Sequence, residues 1–223
     1  MSRDSQGGRV RAAYDAVAEV YAEAISDELA SRPIECGLLE QLVRDAQELG
    51  SGQIADIGCG PGHVTGFLTD RGADVFGFDL APAMVTVARA QFPELDFRVG
   101  SMLGIDAQDA SLSGGVAFYS IIHLAANERL LAYREFARVL QPKAPLLVSF
   151  HVSAADQPVG STLHLESFFE IAVDLDGYFL DPATVLAELQ RVGFELRARL
   201  DREAISGDEY PSRRCYLLMR RVG

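Results

Sequence analysis

The segment Asp56-Ile57-Gly58-Cys59-Gly60-Pro61-Gly62 sets a carboxylate two residues ahead of three alternating glycines. Glycines at this spacing remove Cβ atoms where a backbone must turn sharply and let a ligand approach the main chain. The pattern is G-x-G-x-G, not the G-x-G-x-x-G of dinucleotide enzymes. A carboxylate aimed at the turn would repel a pyrophosphate and attract an ammonium group. Asp79 closes the next apolar run, 17 residues beyond Gly62. That is close to the ~20-residue offset at which an acid takes both ribose hydroxyls and disfavours a 2′-phosphate. Leu80 and Met84 follow, positioned to pack on a purine face. The alternative is an α/β domain that merely turns tightly at this point.

These residues need a parallel sheet to hold them, because ligands of open α/β sheets bind beyond the carboxyl ends of the strands. The chain supplies the required alternation. Val10, Tyr14, Val17 and Tyr21 recur at helical spacing, and a second helix is predicted from near Pro33 to Leu49, stopped by Gly50. Strands are predicted at 54–57, 74–79, 95–99, 116–121, 146–150, 194–200 and 215–219. Helices are predicted at 63–71, after Pro82, from an Asn127 N-cap through Leu140, and at 183–192. Strand–helix–strand units of this kind imply a mainly parallel seven-stranded sheet covered by helices on both faces. Residues 153–180 break the rhythm with His164, Phe168, Phe169, Tyr178, Phe179 and an Asp176-Gly177 turn signal. This stretch reads either as an excursion over the ligand end of the sheet or as a plain hairpin.

Composition narrows the partners. A chain of 223 residues with 48% hydrophobic and 23% charged residues suits one globular domain, 1–223. No apolar run approaches the ~18–20 residues that span a bilayer, and the polar N-terminus lacks a signal-peptide core, so a cytoplasmic location without membrane partners is expected. A net charge of −12 opposes nucleic-acid binding and favours a small-molecule acceptor. Cys36, Cys59 and Cys215 form neither a disulfide framework nor a zinc site, and no metal is expected. Cys59, inside the glycine turn, has no histidine placed to activate it and reads as packing.

S-adenosylmethionine has an ammonium, a sulfonium, an adenosine ribose and no phosphate, so it fits the acidic, glycine-rich turn. Here the sequence resembles the class I S-adenosylmethionine-dependent methyltransferases, particularly bacterial small-molecule members, from Tyr14 to about Met219. "DIGCGPG" resembles their first motif, "GFDLAPAM" the second and "VGSML" the third, which implicates Gly100, Ser101 and Met102 around adenine. "VAFYSIIHL" resembles the strand beneath the transfer site, bringing Tyr119 toward the cofactor, and "EFARVLQPKAPLLVSFHV" the helix and strand that follow. "YDAVAEVYA" resembles an N-terminal lid helix whose aromatic residues, here Tyr14 and Tyr21, close over the methionine part, with residues 1–50 forming the lid. The alternative for both tyrosines is a core role. The resemblance implies a Rossmann-like three-layer αβα sandwich with an antiparallel last strand. Pro142-Lys143-Ala144 replaces the usual Pro-Gly-Gly, and Ser113 an acid common before the fourth strand; neither removes a cofactor contact.

Methyl transfer mostly requires alignment of an acceptor lone pair with the S–CH₃ bond. An alcohol or phenol also gains from a base. His123, after the fourth strand, is the leading candidate, and the alternative is a histidine that lines the site or bonds a neighbouring backbone. His151, ending the fifth strand, is the second candidate, and His164 is expected to line the acceptor pocket with them. Two histidines near the site favour oxygen slightly over nitrogen. A non-catalytic S-adenosylmethionine-binding or regulatory protein is the competing reading. The glycine spacing and Asp56 disfavour a nicotinamide oxidoreductase.

Overall fold

A computed structural model describes residues 5–205 and 209–223; the first four residues of the polar N-terminus, and of the expected lid, lie outside the described residues. The chain runs α1 (Gln6–Ile25), α2 (Pro33–Gln47), β1 (Ile54–Ile57), α3 (His63–Thr69), β2 (Val75–Asp79), α4 (Pro82–Gln91) and β3 (Asp96–Val99). It continues with β4 (Gly114–Phe118), α5 (Ala126–Val139), β5 (Pro145–Ala154), β6 (Thr162–Phe168), β7 (Ile171–Tyr178), α6 (Pro182–Arg191), β8 (Phe194–Arg202) and β9 (Ser212–Arg221). Seven strands form one sheet in the order β3-β2-β1-β4-β5-β9-β8. Every pairing from β3 to β5 is parallel, and β9 runs antiparallel between β5 and β8. This is the expected Rossmann-like sandwich with an antiparallel last strand.

Alternating side chains build a core on each face. Ala55 and Ile57 of β1, with Leu146, Val148 and Phe150 of β5, pack toward α5 and α6. Ile54, Val116, Leu147 and Leu218 pack instead on Leu39, Leu42 and Val43 of α2 and on Val64 and Leu68 of α3. Ligand-end turns follow from the strand order, which reverses between β1 and β4.

Four local readings are corrected. The fourth strand ends at Phe118 and not at Ile121; Tyr119 then takes φ 54 and residues 121–123 form a 3-10 turn. The cap of α5 is Ala125 rather than Asn127, and Glu128 reaches back to the Ala125 amide at 3.3 Å. Leu140 is the C-cap of that helix. The turn between β6 and β7 falls at Phe169-Glu170, both at positive φ, while Asp176 and Gly177 lie inside β7. A two-residue hairpin turn needs that left-handed backbone, and here strand pairing imposes it on residues that do not favour it.

The irregular stretch is therefore a two-stranded hairpin in a sheet of its own. It packs on α1, with Phe168 against Tyr14 and Tyr21 at ring separations of 6.4 and 5.9 Å, so it also lies at the ligand end. Among the described residues no helix is long and apolar enough to cross a membrane.

Candidate functional site

The turn after β1 is shaped by its glycines. Gly58 and Gly60 adopt φ 74 and 52, and both line a cavity at the carboxyl ends of β1, β2 and β4. A Cβ on Gly58 would stand 2.5 Å from Ser120 Cβ, whereas one on Gly60 would meet nothing nearer than Tyr21 Cε1 at 3.9 Å. The bare backbone at Gly60 is thus open toward the cavity. Gly62 differs: it caps α3 away from the cavity, and its Cβ would strike the Phe97 ring at 2.7 Å. Its role is close packing of the turn, not ligand approach.

Asp79 faces the cavity, where one carboxylate oxygen accepts from the Gly60 amide at 2.9 Å and the other from the Ala81 amide at 2.8 Å. Two main-chain donors fix the carboxylate while each oxygen keeps a lone pair for a ligand hydroxyl. Burial pushes its pKa up, and the Ala81 and Gly60 amides oppose that shift. Leu80, Met84, Gly100, Ser101 and Met102 line the same cavity.

Asp56 does not reach the cavity. It shares the strand face of Ile54, which looks toward α2 and α3, and its carboxylate accepts from Thr65 Oγ1 of α3 at 2.7 Å. Burial pushes its pKa up to about 6, against the Thr65 hydrogen bond. Alternation along β1 turns Asp56 to the face of Ile54, against α3, and this segment lines the cavity only from Gly58 onward, past the end of the strand.

Tyr14 and Tyr21 project from one face of α1 into the cavity, their rings edge-to-face at 5.8 Å. Tyr14 Oη lies 2.7 Å from His123 Nε2, and His123 Nδ1 lies 2.8 Å from the carbonyl of Asp176. A carbonyl only accepts, so Nδ1 carries the proton and Nε2 accepts from the Tyr14 hydroxyl. Burial lowers the His123 pKa and raises that of Tyr14, so both are neutral near pH 7. Tyr119 lines the cavity beside them, and its hydroxyl is bonded to Tyr216, which donates to buried Glu35 at 2.8 Å.

His151 and His164 are not brought to this cavity. His151 shares the face of Leu147 and Ser149, bonds Ser212 Oγ through Nδ1 at 2.7 Å and lies against the Tyr119 ring. Burial, reinforced by Arg214, pushes its pKa down to about 3, which removes it from proton exchange at neutral pH. His164 is exposed on β6 and bonds Asp176 Oδ1 at 2.8 Å.

Among the lining residues that sequence reasoning missed are Gln6, Ser120, Leu124 and Glu128. Gln6 continues the stripe of Val10 and Tyr14 one turn earlier, a usable signal. Glu128 carried none, since its direction depends on where α5 begins. Asp79 and Glu128 are the acids of the lining, and no lysine or arginine is among the lining residues. Among the described residues no group of three His, Cys, Asp or Glu is disposed to hold a metal ion.

Residues 54–143, from β1 to the turn beyond α5, match the family described as "Methyltransferase domain". Over these residues the chain is similar to methyltransferase domains. Its matched part holds Gly58, Gly60, Asp79, residues 100–102 and His123, and excludes α1 and the β6–β7 hairpin that cover them. A probable S-adenosylmethionine-dependent methyltransferase of Mycolicibacterium smegmatis is 33% identical over 96 residues, 43% of this chain and 37% of that protein. A malonyl-acyl-carrier-protein O-methyltransferase of Serratia marcescens is 26% identical over 145 residues, 65% of this chain and 56% of that one. The chain thus spans between a third and two thirds of the length of the curated relatives it matches. Magnesium protoporphyrin IX methyltransferase from Synechocystis PCC 6803, solved with bound S-adenosylmethionine, shares the fold with a TM-score of 0.70 over 97% of each chain, at 15% identity.

Proposed function

We propose that the protein is an S-adenosylmethionine-dependent methyltransferase acting on a small, uncharged acceptor, with oxygen favoured over nitrogen. The observation that carries this reading is the cavity itself: a fixed carboxylate at Asp79, bare backbone at Gly58 and Gly60, and a lining with acids but no basic side chain. A cation with two ribose hydroxyls suits that lining, and a phosphate-bearing dinucleotide does not. The absence of a basic side chain among the lining residues also weighs against carboxylate or phosphate acceptors.

In this reading Asp79 accepts the ribose hydroxyls, Leu80, Met84 and Met102 flank the purine, and Gly60 admits the amino-acid part against the main chain. When bound, S-adenosylmethionine supplies an electrophilic methyl group. Residues of this chain then handle the proton. An acceptor hydroxyl donates to the oxygen of Tyr14 while the tyrosine proton passes to His123 Nε2, leaving an imidazolium braced by the Asp176 carbonyl. Burial of the pair beneath α1 excludes water, and the neutral histidine is ready to accept a proton at pH 7. The chain acts as one unit, with α1 alone as its lid, α2 packed into the sheet core instead of the expected lid over 1–50, and the β6–β7 hairpin braced against α1 and not lining the cavity.

Calorimetry with S-adenosylmethionine, S-adenosylhomocysteine and NAD, followed by a screen for S-adenosylhomocysteine release over phenols, alcohols, amines and carboxylic acids, tests the proposal. Binding of the two sulfur ligands, turnover of a neutral hydroxyl compound, and a drop in kcat of about 10²–10⁴-fold in His123→Ala are expected. Tyr14→Phe should lower kcat in the same direction. Binding of NAD alone refutes the cofactor assignment. Binding without turnover on any acceptor favours a regulatory protein, and full activity in His123→Ala removes the base.

A further inference from the structure

Gln6, Arg9 and Tyr14 lie along one side of α1, and all three close on the surroundings of His123. Gln6 Nε2 donates to the His123 carbonyl at 2.6 Å and to Tyr178 Oη at 3.2 Å. Tyr14 meets Nε2 of the ring. Arg9 Nη2 donates to Asp176 Oδ2 at 2.9 Å, and its Nε faces Asp174 Oδ1 at 3.5 Å.

These contacts converge on Asp176. Its second carboxylate oxygen accepts from His164, its cross-strand partner on β6, and its main-chain carbonyl accepts from His123 Nδ1. One residue therefore grips the covering helix with its side chain and fixes the histidine with its backbone. The hairpin that carries it has no strand pairing to the main sheet. A two-stranded unit alone is marginal in water, so contacts such as these must set its position.

We infer that Asp176 is a positioning residue, tying closure of α1 to the tautomer of His123 and to retention of the ligand beneath the helix. With the Arg9–Asp176 pair intact, β7 holds its carbonyl at Nδ1 and Nε2 stays free to take a proton. With the pair broken, β7 is still held to α1 through Asp174 and Tyr178, but its grip at Asp176 loosens, the carbonyl withdraws, and the imidazole samples the form protonated on Nε2. That form has no lone pair for Tyr14. The inference rests on the proposed function only in naming the covered ligand as S-adenosylmethionine or its product.

The test uses Asp176→Asn, which keeps the side-chain shape, and Arg9→Gln, at a partly exposed position where folding is not at stake. The imidazole ¹⁵N shifts of His123, assigned with His123→Ala and recorded on unliganded protein, should show the Nδ1–H form in the wild type and a mixture in each variant. Release of S-adenosylhomocysteine, followed by stopped-flow displacement, should quicken roughly three- to tenfold in each variant, and the double variant should be no faster than the faster single. An unchanged tautomer in both variants, or wild-type release rates, overturns the role of Asp176. Wild-type protein that binds no S-adenosylhomocysteine refutes the cofactor reading instead, and the tautomer measurement still decides the positioning role.

Discussion

Gly58 and Gly60 belong to one turn and share a left-handed backbone, yet alanine should affect them in different ways. At Gly58, with φ 74, an L-residue costs ~1–2 kcal/mol for the backbone alone. Its Cβ would also lie 2.5 Å from Ser120 Cβ and 3.1 Å from Ser120 Oγ, well inside contact distance. Ser120 cannot retreat freely, because its hydroxyl donates to the Ile57 carbonyl at 2.6 Å. Relieving such an overlap costs about 1–3 kcal/mol. Gly58→Ala should therefore lose about 2–5 kcal/mol, a fall in Tm of roughly 4–20 °C for a domain of this size. At Gly60 only the backbone cost applies, about 1 kcal/mol, because the nearest atom to a Cβ is 3.9 Å away. That Cβ points into the cavity, so Gly60→Ala should melt within a few degrees of the wild type while losing affinity for S-adenosylhomocysteine. Thermal melts followed by circular dichroism, with titration calorimetry on both variants, separate the two effects. Equal melting of Gly58→Ala and wild type, or wild-type affinity in Gly60→Ala, refutes the division of labour within the turn.

Asp79→Ala should weaken S-adenosylhomocysteine binding by about 100-fold or more, since charged hydrogen bonds to ligand hydroxyls contribute about 1.5–3 kcal/mol each; unchanged affinity in calorimetry would show that the ribose binds elsewhere. Acidification should destabilise the protein through its buried histidines. The unfolded chain takes up a proton at His151 near pH 6.5, while the folded protein resists until about pH 3, so stability is present above pH 6.5 and is lost progressively below it. His151 alone accounts for up to about 2 kcal/mol of loss between pH 6.5 and 5. Its replacement in His151→Asn, which can still bond Ser212, should flatten the fall in Tm over that range; an equally steep fall would place the acid sensitivity elsewhere.

The order of elements, the glycine turn, Asp79 and the aromatic face of α1 were legible in the sequence because each depends on local chemistry. Periodicity sets which residues share a helix face, glycine alone tolerates the turn, and an acid at the end of β2 is placed by strand length. Asp56 shows where such reading stops. Its proximity to the glycines is a fact of sequence, but the pleat turns it toward Thr65, and only the packed α3 layer reveals the partner. His151 fails for a related reason: the strand runs on to Ala154, so the histidine lies inside β5, and its face directs it to Ser212.

The sequence by itself determined an α/β chain with a glycine-rich turn after β1, an acid closing β2 and a histidine just beyond β4. Tertiary structure alone decided which acid faces the cavity, that Tyr14 meets His123 across 109 positions, and that a carbonyl of Asp176 sets the histidine's proton. The physical reason is that a hydrogen bond between distant segments is specified by the packing of the elements that carry them. A main-chain carbonyl has no side-chain identity, so it leaves no mark in the sequence at all.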